Sequence, residues 1–195
     1  MSDFSVISDV SNVILKLLRD NICPELIQSP ESIKLVSPSE KNADFQLGLY
    51  LYDIQELREY QQVDMVRVNG NKAKFPAKPL NLFFALYVNG KSQMMSDAEN
   101  EQRILGRILQ VLMDNAVLKD IETEEEEEGS AAVTLLNLSF EDKTKLWNVL
   151  NLPYQLAVYF SVSPVVLSSR RMYSFSRVLE TDYRVEYQDT GRKMP

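Results

Sequence analysis

A chain of 195 residues with 45% hydrophobic and 25% charged side chains is ordinary in composition and long enough for one domain with a sizeable core. It has no histidine and a single cysteine, Cys23, which excludes the commonest general base, the Ser/His and Cys/His nucleophile pairs, a thiolate metal site and an internal disulfide. The net charge of −7 argues against nonspecific nucleic-acid binding, and no apolar run approaches the roughly 20 residues that a membrane span needs.

The chain opens MSDFSVISDV, with acids and serines where a secretory signal would place basic residues and then an apolar stretch. The expectation is an unprocessed protein made in the cytoplasm. Ile7, Val10, Ile14, Leu17 and Leu18 recur at helical spacing, which predicts a helix over Val6 to Asn21 with Asp3 or Ser5 as its cap. Cys23-Pro24 ends it, because proline disfavours helical angles in the residue before it. Cys23 itself reads as a small buried filler. A polar stretch with Pro30 and Pro38 follows and encloses a short apolar alternation at Ile33 and Leu35.

Phe45, Leu47, Leu49 and Leu51 alternate with Gln46, Gly48, Tyr50 and Tyr52, a strand pattern with one aliphatic face. The polar segment from Glu56 to Pro79, with Asn69-Gly70 inside it, is a long loop or a hairpin excursion of the kind that often carries function. Leu80 to Val88 is almost wholly apolar, as in a central strand covered on both faces. Met94-Met95 beside the next turn is either loop packing or an adaptable contact surface.

Ser96 or Asp97 is placed to cap an amphipathic helix over Ala98 to Asn115, whose core face is Ile104, Leu105, Ile108, Leu109 and Leu112. Arg103 and Arg107 lie on other faces of that helix. They either pair with Glu99 and nearby acids or reach an acidic neighbour. Glu122 to Glu128 holds six glutamates, the pattern of a solvated loop or of a site for a cation or a basic partner. Val133 to Leu138 reads as a strand. Ser139 with Asp142 forms a capping-box arrangement before a short helix bearing Leu146, Trp147, Val149 and Leu150. Trp147 is a helix-to-core anchor or an interface hot spot. Leu152-Pro153-Tyr154 breaks that helix, and a strand from Gln155 to Leu167 follows. Its Pro164 points to a sheet edge or a strand end.

The last segment changes character. Arg170, Arg171, Arg177, Arg184, Arg192 and Lys193 stand among Tyr173, Phe175, Tyr183 and Tyr187, and Tyr183, Val185 and Tyr187 alternate with polar residues. It is either a disordered or edge-packed tail, or an arm that adds a strand to a neighbouring subunit. The expected division is a core over 1–168 and an arm over 169–195. The order of elements predicts an α/β (α+β) fold with a small antiparallel or mixed sheet flanked by helices.

Five stretches carry a resemblance. They are ISDVSNVILKLLRDNI, LGLYLYDIQELRE, PLNLFFALYV, ENEQRILGRILQVLMDNAVL and LSFEDKTKLWNVLNLPYQLAVYFSVSPVVL, and they follow one another with the spacings of a known family. From about residue 5 to 168 the chain resembles the cap, or tail-terminator, proteins of extracellular contractile injection systems, which are phage-tail-like particles of the antifeeding-prophage type. The "ILGRILQVLMDNAVL" helix and the "LW" then "LPYQLAVYF" segment are its most specific parts, and neither is a catalytic signature. The resemblance implies a tail-terminator-like fold. It implies a six-fold homohexameric ring on the last tube and sheath layers that ends growth and joins sheath to inner tube. It also implies assembly in the cytoplasm, into a particle either released or anchored at a membrane. Some relatives carry a further C-terminal domain, and the expectation here is the core and a short arm alone.

A ring built from one chain needs two different patches that meet head to tail. Candidates are the tail residues Arg170, Arg171, Tyr173, Arg177, Tyr183, Arg184, Val185 and Tyr187 on one side, and the acidic residues Glu124, Glu125, Glu126, Glu127 and Glu128 on the other. No cofactor, metal, nucleic acid or membrane insertion is expected. The competing readings are a stand-alone adaptor without a ring and a carboxylate-based hydrolase, which needs two acids about 5–10 Å apart.

Overall fold

The computed structural model describes residues 3–40, 44–58, 65–69, 71–90, 98–121 and 129–174. The first periodic segment forms α1, Val6–Ile22, with Val6, Val10, Ile14, Leu18 and Ile22 buried in one row at i+4 spacing and Leu15 beside them. Ile7 and Leu17 flank this row and are only partly buried. Ser5 does not cap the helix through its side chain. A 3-10 turn, Asp3–Ser5, leads straight into α1, so Ser5 holds helical angles (φ −79°, ψ −16°) instead of the extended ones a capping serine uses. Its hydroxyl donates to Asp9 Oδ2 at 2.6 Å. Cys23 turns extended before Pro24 and sits partly buried at the margin of the core.

Arg19 then fixes the chain's return. Its guanidinium donates to the carbonyls of Pro30 (3.0 Å) and Ile33 (2.7 Å), which holds β1, Ile33–Leu35, against α1. The alternating segment becomes β2, Leu47–Glu56. The polar excursion is a hairpin, β3 Val66–Asn69 and β4 Lys72–Lys74. β5, Lys78–Val88, is the long apolar strand, and α2, Ala98–Asp114, follows. In α2, Val111 is buried where Leu109 was expected, and Leu109 is 37% exposed. Val111 lies three residues after Ile108 on the same stripe, whereas Leu109 is one residue round, on the flank. Ser96 and Asp97, like Met94-Met95, lie outside the described residues.

A strand that the sequence pattern does not announce, β6 Val117–Ile121, pairs with β7, Gly129–Leu135. α3, Phe140–Val149, begins at Ser139, whose Oγ accepts from Asp142 N (3.1 Å) and donates to Asp142 Oδ2 (2.6 Å), as the capping arrangement predicts. β8, Ala157–Leu167, and β9, Met172–Ser174, complete the described elements.

Six strands form one sheet in the order β1-β2-β5-β8-β7-β6, antiparallel except where β1 runs parallel to β2. α1 and α2 lie on one face. They enclose Leu47, Leu49, Leu82, Phe84, Leu86, Phe160 and Val162, with the Phe84 and Phe160 rings stacked at 5.4 Å. Pro164 marks neither an edge nor a strand end, because β8 lies between β5 and β7. The sheet accommodates it in two ways. Pairing with β7 stops at Ser163, and a bulge sets Ser163 and Pro164 opposite Asn81, between the pairs Leu82↔Val162 and Leu80↔Val165.

Candidate interaction surfaces

The second face of the sheet is aromatic. Gly48, Tyr50 and Tyr52 on β2, Phe83, Ala85 and Tyr87 on β5, and Tyr159 on β8 alternate with the core residues. α3 covers one end of this face through Trp147, the one buried residue among its described positions. Its indole N–H donates to Tyr159 Oη at 2.9 Å, and its ring meets Tyr87 edge-on at 5.8 Å. Phe45 packs edge-on to Tyr87 at 5.9 Å, and the Tyr87 hydroxyl donates to Val36 O at 3.1 Å. Trp147 is thus a core anchor, with Leu146 and Leu150 half-buried beside it and Val149 81% exposed.

Burial governs the chemistry of these phenols. It pushes Tyr52 up to about 12, with the phenol of Tyr159 and the carboxylate of Asp53 adding to the effect. It also raises Tyr87, with help from Tyr50, and it raises Tyr159 against the opposing hydrogen bond from Trp147. A pKa raised on folding means that the native state keeps protons the unfolded chain releases near pH 10. This stabilisation is complete below about pH 10 and is lost as pH rises through about 12. Melting temperature is therefore expected to hold up to about pH 10 and fall beyond it. Tyrosinate absorbance for the buried phenols should appear only together with unfolding. Free titration of all tyrosines near pH 10 in the folded protein would contradict their burial.

The edge beside β1 is a second surface. β1 covers β2 only as far as Leu49, and among the described residues no strand continues it along Leu51–Glu56. An apolar groove of about 390 Å³ opens there, lined by Phe4, Ile7, Leu35, Leu49 and Leu51. The edge is blunted against strand addition. A bulge falls between Leu51 and Asp53, and the Asp53 carboxylate accepts from Ile54 N (2.8 Å) and Gln55 Nε2 (2.7 Å).

The third surface is the small sheet, in the order β3-β4-β9. It brings part of the expected arm onto the excursion between β2 and β5, through Lys72↔Ser174, Ala73↔Tyr173 and Lys74↔Met172. The arm therefore begins by pairing within its own chain. Arg170 lies over the Phe4 ring at 5.5 Å and Arg171 over Phe75 at 5.2 Å, while Tyr173 is 52% exposed. Arg67, Lys72 and Lys74, which the sequence left within the excursion, join Arg170 and Arg171 here. Of the other candidate residues, Arg177, Tyr183, Arg184, Val185, Tyr187 and Glu124 to Glu128 lie outside the described residues. Arg107 donates to Asn21 O (3.2 Å) at the C-terminal end of α1, where a cation suits the helix dipole.

Among the described residues no group of three or more acidic or thiol side chains is placed to hold a metal, and no helix is long and apolar enough to cross a membrane. The model of the Pvc16 N-terminal domain family matches residues 9–181. The chain belongs to that family. Among solved structures it is similar to the sheath/tube terminator of an extracellular contractile injection system, PVC, in its extended state. That match has a TM-score of 0.60 at 16% identity and covers 94% of this chain and 64% of the other. It is also similar to the tube-terminating cap of the anti-feeding prophage, with a TM-score of 0.54 at 14% identity over 90% of this chain and 60% of that one. The shared fold is the tail-terminator-like α+β fold expected from the sequence. The Pvc16-type chain described here thus corresponds to about three fifths of the length of those two proteins. Nothing matches among curated proteins.

Proposed function

We propose that this Pvc16-family chain is a structural cap. Copies of it form a ring, six by resemblance, on the last inner-tube and sheath layers of a contractile injection particle, where they end growth and join sheath to tube. The observation that carries this reading is the agreement of fold over 94% of the chain with a sheath/tube terminator. The surface chemistry supports it. The chain offers several distinct patches, namely a basic sheet, an acidic run and an apolar edge groove, and a head-to-tail ring needs unlike patches. Its role is then one of occupying a site, without catalysis, cofactor or membrane insertion. Assembly takes place in the cytoplasm before the particle is complete.

Two measurements test it. The purified protein should have the mass of a closed ring, and particles assembled without it should carry overlong or open tubes and sheaths that added protein corrects. A stable monomer that never associates with tube or sheath, together with closed particles of normal length in its absence, would overturn the cap and favour the stand-alone adaptor.

A further inference from the structure

One side of the six-stranded sheet is hollow and the other carries a knob. The hollow is the apolar groove of about 390 Å³ at the β1–β2 edge, with Phe4, Ile7, Leu35, Leu49 and Leu51 in its walls. Phe4 is 73% and Leu35 49% exposed, so among the described residues nothing closes it. The blunted edge of β2 suits a partner that inserts side chains and not one that adds a strand. A cavity of about 150 Å³ takes one benzene ring, so this groove has room for two aromatic rings.

The knob is the pair Phe140 and Tyr154. Their rings meet at 5.1 Å, tilted by 57°, and Phe140 is 70% exposed. Leu135, which ends β7, and Leu156, just before β8, are exposed as well. Trp147 is the one buried residue of α3, and neither Phe140 nor Tyr154 belongs to the core. Exposed aromatic side chains that pack on each other and not on the core mark a contact site.

Knob and groove stand at one height along the strands. The chain leaves β7 for α3 at Leu136, whose N–H donates to Tyr159 O at 2.8 Å. The row of Tyr159 continues through Ala85 to Tyr50, which lines the groove. They also stand on opposite sides. α3 crosses the strands: Lys143 lies over the Tyr159 ring of β8 at 5.8 Å, Trp147 meets Tyr87 of β5, and Leu150 shares a slot with Tyr50 and Tyr52 of β2. Its first residue, Phe140, is therefore on the β7 side of the sheet, whereas the groove lies beyond β2.

We propose that the Phe140–Tyr154 knob of one copy seats in the β1–β2 groove of the next, a contact that rests on the ring reading above. Identical copies related by rotation about one axis meet head to tail through unlike patches at one height on opposite sides, which is how these two are placed when the strands run roughly along the ring axis. Each copy then gives one knob and takes one. Two aromatic anchors in an apolar pocket supply the kind of desolvated centre that dominates binding.

Cross-linking and charge substitution test it. In a Cys23→Ser background, Leu35→Cys together with Phe140→Cys should give a ladder of covalent multimers with a short bis-maleimide, and either new cysteine alone should leave monomers. Leu35→Glu and Phe140→Asp should each dissociate at a concentration at least tenfold higher than wild type, read by sedimentation. Both positions are exposed, and far-UV circular dichroism confirms that every variant folds. If wild type forms rings but the paired cysteines give no ladder, or the charge variants assemble like wild type, the groove contact is wrong and other surfaces hold the ring. Charge variants that assemble normally but release sheath or tube would give the groove to a particle subunit, which also overturns the contact. Pairs formed by one cysteine alone would mean that a patch meets its own kind across a two-fold axis, against the head-to-tail contact. If wild type is monomeric at every concentration, the groove contact and the ring fall together.

Discussion

Replacing Trp147 with alanine is expected to lower stability by about 3–5 kcal/mol, which corresponds to a fall of about 10 °C in melting temperature for a domain of this size. The reason is how α3 is held. Trp147 is the one buried residue in the helix, while Phe140 is 70% and Val149 81% exposed. Removing the indole takes from Tyr87 one of its two edge-on partners, leaving Phe45, and deprives the Tyr159 hydroxyl of the N–H that reaches it at 2.9 Å. Trp147→Phe keeps most of the apolar contact and loses the hydrogen bond, so it should cost about 1–2 kcal/mol. Thermal unfolding followed by circular dichroism checks both values. A Trp147→Ala protein that melts with wild type but fails to assemble would make this side chain an interface residue and the anchor account wrong.

The parts of the fold that sequence made legible are those whose packing is local. α1 and β2 repeat their apolar residues at 3.6 and 2, β5 is a continuous apolar run, and α3 is announced by its Ser139–Asp142 cap, so each is written within one segment. The parts that were not legible depend on residues far apart. β9 exists because Lys72 meets Ser174, and nothing in the triplet Met172–Ser174 announces that partner. β6 is Val-Leu-Lys-Asp-Ile, too mixed to read as a strand until β7 pairs with it. Pro164 misled for the same reason. A proline in this central strand is accommodated because pairing with one neighbour ends beside it and the register with the other bulges, and both facts depend on other segments. The candidate surface followed this pattern. Arg170, Arg171 and Tyr173 were legible as a basic, aromatic stretch, but the cations of β3 and β4 that complete the patch looked like loop residues until the small sheet formed. The Tyr183 to Tyr187 alternation lies outside the described residues, so the idea of an arm reaching a neighbour rests on sequence alone.

Gly48 carries a constraint that no local pattern reveals. It stands directly opposite Tyr87 in the β2–β5 register, and the Tyr87 ring lies across it. A Cβ built on Gly48 would lie 2.6 Å from the Tyr87 hydroxyl oxygen and 2.7 Å from Cε1, with Cζ closer still. An exposed tyrosine would swing away. This one is 2% exposed, gripped by Phe45 and Trp147, and tied through its hydroxyl to Val36 O. Gly48→Ala is therefore expected to cost about 2–3 kcal/mol, at the upper end for overpacking a buried site. The effect should also pass along the sheet. Displacing the Tyr87 hydroxyl frees Val36, whose N–H to Leu49 O bond (2.9 Å) ends the β1–β2 pairing, so exchange protection at Val36 should fall along with global stability. The steric account makes a sharper claim than a simple loss. In a Tyr87→Leu background the ring is gone and Gly48→Ala should cost under about 1 kcal/mol, so the double variant is much less destabilised than the sum of the two singles. Urea unfolding of the four proteins measures the coupling. Additive losses would mean that Gly48 is needed for its backbone and not for the space beneath Tyr87.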